Sequence, residues 1–224
     1  LEDGNLAELF IERGDLSDIA GNIYKGRVQR VLPGMQAAFV DVGLHQAAFL
    51  YAGDVISENH KNLEVAMAPE LEETDPEELD LLPEKNEIET RKVPIEDLLR
   101  EGQEIMVHVA KSPIGTKGAR VTSHVSLPGR FLVLMPNSDH VGISRRIEDE
   151  DERTRLKDIV SRLRTGKFGY IVRTAAEGID EEKLIYEMSF LNNLWANIQK
   201  RFQNTSAPAL LHQELSVTLR AVRD

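Results

Sequence analysis

Residues 21–54 read GNIYKGRVQRVLPGMQAAFVDVGLHQAAFLYAGD, and three apolar, β-branched runs stand out within them: Ile23 to Leu32, Gln36 to Val42 and Ala47 to Tyr51. Pro33-Gly34 separates the first two, and Gly43 to Gln46 separates the second from the third. Proline presets φ for a turn and glycine accepts φ > 0, so both gaps predict hairpin turns between three meandering strands. These strands carry Tyr24, Lys25, Arg27, Phe39 and Phe49. Small open-faced barrels stack bases on such rings and hold phosphates with such cations, which makes single-stranded nucleic acid the ligand class this surface predicts. Phe39 and Phe49 also lie among alanines, Val40 and Leu50, surroundings that suit core rings. The residues alone leave both readings open.

Further along, Glu104 to Val109 alternates as a half-buried strand does, and Ala119 to Thr122 predicts one more. Ile95 to Arg100 predicts a short amphipathic helix, with Gly102 placed to cap its C-terminus. Five strands with a helix between the third and fourth form the OB topology. The turn KSPIGTKGAR carries Lys111, Lys117 and Arg120, and Gly118 beside Lys117 removes bulk from the approach of a sugar-phosphate. A solvated loop lysine fits the same composition.

A net charge of −11 argues against a phosphate-binding chain until its distribution is considered. Ser57 to Pro94 holds twelve acidic and four basic residues, a net of −8, which leaves −3 for the rest. With Pro69, Pro76 and Pro83 inside it and few aromatic residues, this insert predicts a solvated, disordered excursion, or else an arm that docks a protein partner. The chain has no cysteine, which excludes disulfides and thiolate metal sites and suits a reducing, cytoplasmic setting. No apolar run reaches the roughly 18 residues needed to span a bilayer. Leu1 in place of Met, and an end at Asp224 without a cap, predict a piece of a longer protein.

A second unit begins near residue 125. Phe131 to Met135, Val141 to Ile147 and Phe168 to Arg173 predict strands, and Glu148 to Arg164 predicts a helix with acids first and cations last. From Asp180, a longer helix carries Leu184, Ile185, Met188, Leu191, Leu194, Trp195, Ile198 and Phe202 on one core stripe, and Pro208 is expected to end it. Arg173-Thr174 at a strand end joins a bidentate guanidinium, a hydroxyl and backbone amides, a set that suits a terminal phosphate.

Four stretches carry a resemblance: NIYKGRVQRVLPGMQAAFVDVG with the following AAFL, GTKGARVT, SLPGRFLVLMPNSDHVGISRRI and IVRTAAEG. In this order, and across most of the chain, they resemble the RNA-binding and sensor region of the bacterial ribonuclease E and G endonucleases, the shorter G-type branch most closely. The resemblance implies an α+β fold. Residues 1–20 would be part of a ribonuclease-H-like sheet, 21–124 an OB-type barrel with an acidic insert at 57–94, 125–207 a 5′-sensor, and 208–224 the start of the remaining ribonuclease-H-like segment.

It also implies site residues. Phe39, Phe49 and Lys117 fall on the family's barrel contacts to RNA, and Tyr24 and Lys25 on neighbouring family positions. Arg173, Thr174, Gly129 and Val133 fall on its contacts to a 5′-monophosphate. The family's catalytic carboxylates, which hold magnesium, and its zinc segment have no match here, so both metals belong to the rest of the protein and this stretch is expected to bind RNA without cutting it. The implied whole is a magnesium-dependent endoribonuclease, oligomeric, acting in rRNA and tRNA processing and mRNA decay. A free-standing OB-type RNA-binding module of a translation or processing factor is the alternative.

Overall fold

β1 (Ile23–Leu32) is the strand on which both halves of the molecule are built. The computed structural model describes residues 18–56 and 93–223. β1 turns through a single 3-10 turn at Pro33–Met35, where Gln36 takes a left-handed φ of 48°, into β2 (Ala37–Asp41). β3 (Ala48–Tyr51) follows, then a short helix α1 (Ile95–Leu98), β4 (Glu104–Lys111) and β5 (Arg120–Thr122). The strands run in the order β1-β2-β3-β5-β4, and β4 pairs back onto β1, so the sheet closes into a five-stranded barrel. β3 and β5 are parallel; the other barrel pairs are antiparallel. Its interior is small and aliphatic, built from Val28, Ala38, Val40, Ala48, Leu50, Val107, Val109 and Val121, with Ile95 of α1 packed into the same core.

The second sheet has the order β6-β7-β9-β8, made of β6 (Leu127–Pro128), β7 (Leu132–Met135), β8 (Val141–Ile143) and β9 (Gly169–Val172). α2 (Glu150–Leu163) packs on β8 and β9, and α3 (Glu181–Asn204) packs on β7. The Asp149 carboxylate caps α2 by accepting from the amides of Asp151 and Glu152. The fold is α+β throughout, and no helix among the described residues is long and apolar enough to cross a membrane.

Several expectations are corrected here. The helix before β4 ends at Leu98, and Gly102, at φ +82°, instead forms the turn that donates its amide to the Val28 carbonyl. β8 stops at Ile143, because Ser144 to Ile147 forms a turn. Ile185 leaves the core stripe and is 42 % exposed, since it faces away from β7. Residues 209–212 form β10 (Ala209–His212), which pairs with β1 at the edge of the barrel sheet. α4 (Val217–Arg223) follows. Residues 1–17 of the part expected to belong to a ribonuclease-H-like sheet, and nearly all of the acidic insert, lie outside the described residues.

Because β10 and α3 cover the start of β1, Ile23 belongs to the core of the second unit together with Leu211, while its neighbour Tyr24 belongs to the barrel core. His108, opposite Ile23 on β4, and His212, opposite it on β10, lie on either side of β1 at this joint. Burial pushes both imidazoles below the ordinary histidine pKa, and the Glu214 carboxylate opposes that shift only in part. Both therefore stay neutral to a lower pH in the fold than in the unfolded chain, which takes up protons near pH 6.5. The stability this contributes is complete above that pH and lost as pH falls below it. Urea unfolding should show a lower midpoint at pH 5 than at pH 7.5, and His108→Gln should flatten the difference; an unchanged midpoint would contradict it.

Candidate nucleic-acid interface

On the outside of the barrel, three rings stand side by side. Phe39 on β2 and Phe49 on β3 are register partners, and their rings meet edge to face at 5.8 Å. Tyr51, two residues on and therefore on the same face, meets Phe49 at 4.9 Å. The neighbours Ala38, Val40, Ala48 and Leu50 point inward and are buried, whereas Phe39 and Phe49 are half-buried and Tyr51 is 48 % exposed. Of the two readings the sequence allowed, the outward one describes their placement. Tyr51 was missed in the sequence, although its i, i+2 spacing from Phe49 is the signal that marks it.

Cations flank the rings in register. Arg30 on β1 is opposite Phe39, and Arg120 on β5 is opposite Phe49. Arg120 reaches the Asp54 carboxylate at 3.1 Å, and both Arg30 and Lys117 are exposed. Lys117 sits in the turn closed by backbone bonds between it and Ile114. Gly118 serves a different purpose from the one expected. A Cβ there would lie 2.0 Å from the Ala47 carbonyl oxygen, so the glycine lets this turn pack on the start of β3. Its smallness is spent on the protein's own backbone.

Tyr24 and Lys25, expected on this surface, are only 7 % exposed each. Tyr24 accepts a hydrogen bond from the Asn22 amide at 3.3 Å within the barrel core. The Lys25 ammonium donates to the Phe202 carbonyl at 2.9 Å, pairs with Glu104 at 2.8 Å and lies 4.6 Å from the centre of the Phe202 ring. The Lys25 bond in turn holds the Glu104 carboxyl below its ordinary pKa. Lys25 thus ties the barrel to the end of α3; it drops out of the surface because that helix covers it, and Tyr24 because it points into the barrel core.

In the second unit, Arg173 follows β9 and donates from its guanidinium to the Gly129 carbonyl at 2.8 Å, while its amide donates to the Phe131 carbonyl. The Thr174 hydroxyl is 2.9 Å from the Ser144 hydroxyl. Ser144, absent from the sequence reading, opens the turn that carries the exposed Arg145 and Arg146, and the Arg153 guanidinium braces it through the carbonyls of Ser144 and Ile147. Arg173, Thr174 and Gly129 are therefore brought together. Val133 is corrected: at 1 % exposure, between β6 and β9, its side chain is core and closed to a ligand. The Gly129 amide is likewise engaged, donating to the Leu132 carbonyl. Among the described residues, no three His, Asp or Glu side chains gather in a way that could hold a metal ion.

Comparison with known proteins agrees with the resemblance. Residues 126–224 match the model of the Ribonuclease E/G family. Over its whole length the chain is 43 % identical to ribonuclease G of Escherichia coli (strain K12) and covers 42 % of that protein. It is 42 % identical to ribonuclease G of Haemophilus influenzae, again covering 42 % of it, and 38 % identical to ribonuclease E of E. coli (strain K12), covering 19 %. The chain thus spans about two fifths of the length of the ribonuclease G proteins it matches.

Proposed function

This chain belongs to the ribonuclease E/G family, whose domain it carries over residues 126–224, and from that premise we propose that it is the part of an RNA-processing endoribonuclease that grips single-stranded RNA and reads its 5′ end. The barrel, of OB type and running from residue 21 to 124, would hold the strand. Bases would stack on Phe39, Phe49 and Tyr51, and Arg30, Arg120 and Lys117 would attract the phosphates. The unit at 125–207 would take the 5′-monophosphate. There the Arg173 guanidinium can offer bidentate bonds and Thr174 a hydroxyl, which together distinguish a terminal phosphate, with its extra charge and oxygens, from an internal diester.

The observation that carries this reading is the outward row of rings with arginines in register on either side, an arrangement that an ordinary barrel core does not need. In the whole cytoplasmic enzyme, binding energy from the strand and its 5′ end would be used at a distant scissile bond, favouring the productive state. The chain alone should bind RNA and not cleave it.

The end-reading is tested with two short RNAs identical except for a 5′-monophosphate or a 5′-hydroxyl. Charge-assisted bonds to an ion contribute about 1.5–3 kcal/mol, so the phosphorylated strand should bind about tenfold or more tightly. Arg173→Ala should remove most of that preference. Equal affinities in the unaltered chain would overturn it.

A further inference from the structure

We infer that Glu187 is a positioning residue for the 5′-end site. This rests on the end-reading proposed above and adds to it the group that sets its geometry. Glu187 projects from α3 to the turn between β6 and β7. Its two carboxylate oxygens accept from consecutive backbone amides, Arg130 at 2.7 Å and Phe131 at 2.8 Å. The same turn supplies the Gly129 carbonyl that takes the Arg173 guanidinium bond at 2.8 Å, and the Phe131 carbonyl that takes the Arg173 amide bond. A continuous path of bonds therefore runs from α3 through Glu187 and the turn to the guanidinium.

Two consequences follow from elementary chemistry. First, the turn is held from both sides, so the arginine's anchor cannot drift; a charge-assisted pair of bonds of this length is among the stronger restraints a side chain can place on a backbone. Second, consecutive amides in a turn are themselves an anion-binding concavity. With a carboxylate already seated on them, a phosphate is directed to the Arg173 and Thr174 side chains. Gly129 is part of the device: a Cβ there would lie 2.7 Å from the Glu187 carboxyl carbon, so only glycine leaves the carboxylate its place.

The experiment measures, with the full chain, the ratio of affinities for 5′-monophosphate and 5′-hydroxyl RNAs by fluorescence anisotropy, alongside amide hydrogen exchange at Arg130 and Phe131. Glu187→Ala should bring a roughly tenfold ratio close to one and raise exchange at both amides. Glu187→Gln, which keeps one acceptor oxygen, should give an intermediate ratio. Gly129→Ala should resemble Glu187→Ala, and the double variant should be no worse than either single one. Tyr186→Ala, on the exposed side of α3, should keep the full ratio. An undiminished ratio in Glu187→Ala would overturn the role of Glu187 alone. A ratio of one in the unaltered chain would overturn the end-reading and this role with it. If Glu187→Ala fails to fold, a full ratio in Glu187→Gln overturns the inference just as directly.

Discussion

Replacing Phe39 and Phe49 together with alanine should weaken the binding of a short single-stranded RNA by about a hundredfold, with little change in thermal unfolding. Base-on-ring stacking contributes about 1–3 kcal/mol per base by alanine substitution, and each 1.4 kcal/mol is a factor of ten, so two lost platforms reach that size. The fold should survive because both side chains lie outside the barrel, where the main internal loss is their edge-to-face contact. Leu50→Ala supplies the contrast. It sits between Phe49 and Tyr51 on the same strand but is fully buried, and it should cost about 2–5 kcal/mol of stability. Anisotropy and calorimetry on the two variants separate the cases. Early unfolding of the double variant with RNA binding intact would mean that the rings serve the core.

The second large effect concerns the joint. Lys25→Met keeps the aliphatic stem but removes the ammonium, leaving the Phe202 carbonyl without its donor and the Glu104 carboxylate with Arg27 as its remaining ion-pair partner. A hydrogen bond from a charged donor contributes about 1.5–3 kcal/mol, so a loss of about 2 kcal/mol is expected. For a chain of this size that is a fall of roughly 4–8 °C in the unfolding midpoint. RNA affinity at a temperature where both forms are folded should stay the same. A large loss of RNA affinity with unchanged stability would return Lys25 to the binding surface.

The contrast between these two positions shows what the sequence could and could not tell. The barrel strands were legible because their cues are local: β-branched runs, Pro33-Gly34, and the alternation along β4. Tyr24 and Lys25 lie off the surface for two reasons: Tyr24 points into the barrel core, and Lys25 is covered from the second unit. The cover over Lys25 comes from Phe202 at the end of α3, 177 residues away in sequence. Nothing local to GNIYKGR announces it. Ile185 failed for a related reason: a helical stripe read at 3.6 residues per turn is wider than the sheet it covers, and its edge residue is left in solvent.

At the second site, Arg173-Thr174 was legible as chemistry, but its setting was not. The partners that shape it, Ser144 and Glu187, lie 30 and 14 residues away and are common surface residue types. Their roles appear only once β8 and α3 are docked around β7 and β9. Val133 was assigned through its family position, and a strand flanked on both sides turned that side chain inward.

The most direct measurement is a crystal structure of this chain with a short, 5′-monophosphorylated single-stranded RNA. The predicted result has bases stacked against Phe39 and Phe49 and the terminal phosphate bonded to Arg173 and Thr174. RNA bound on another face, with those rings uncovered and the 5′ phosphate in solvent, would contradict the account.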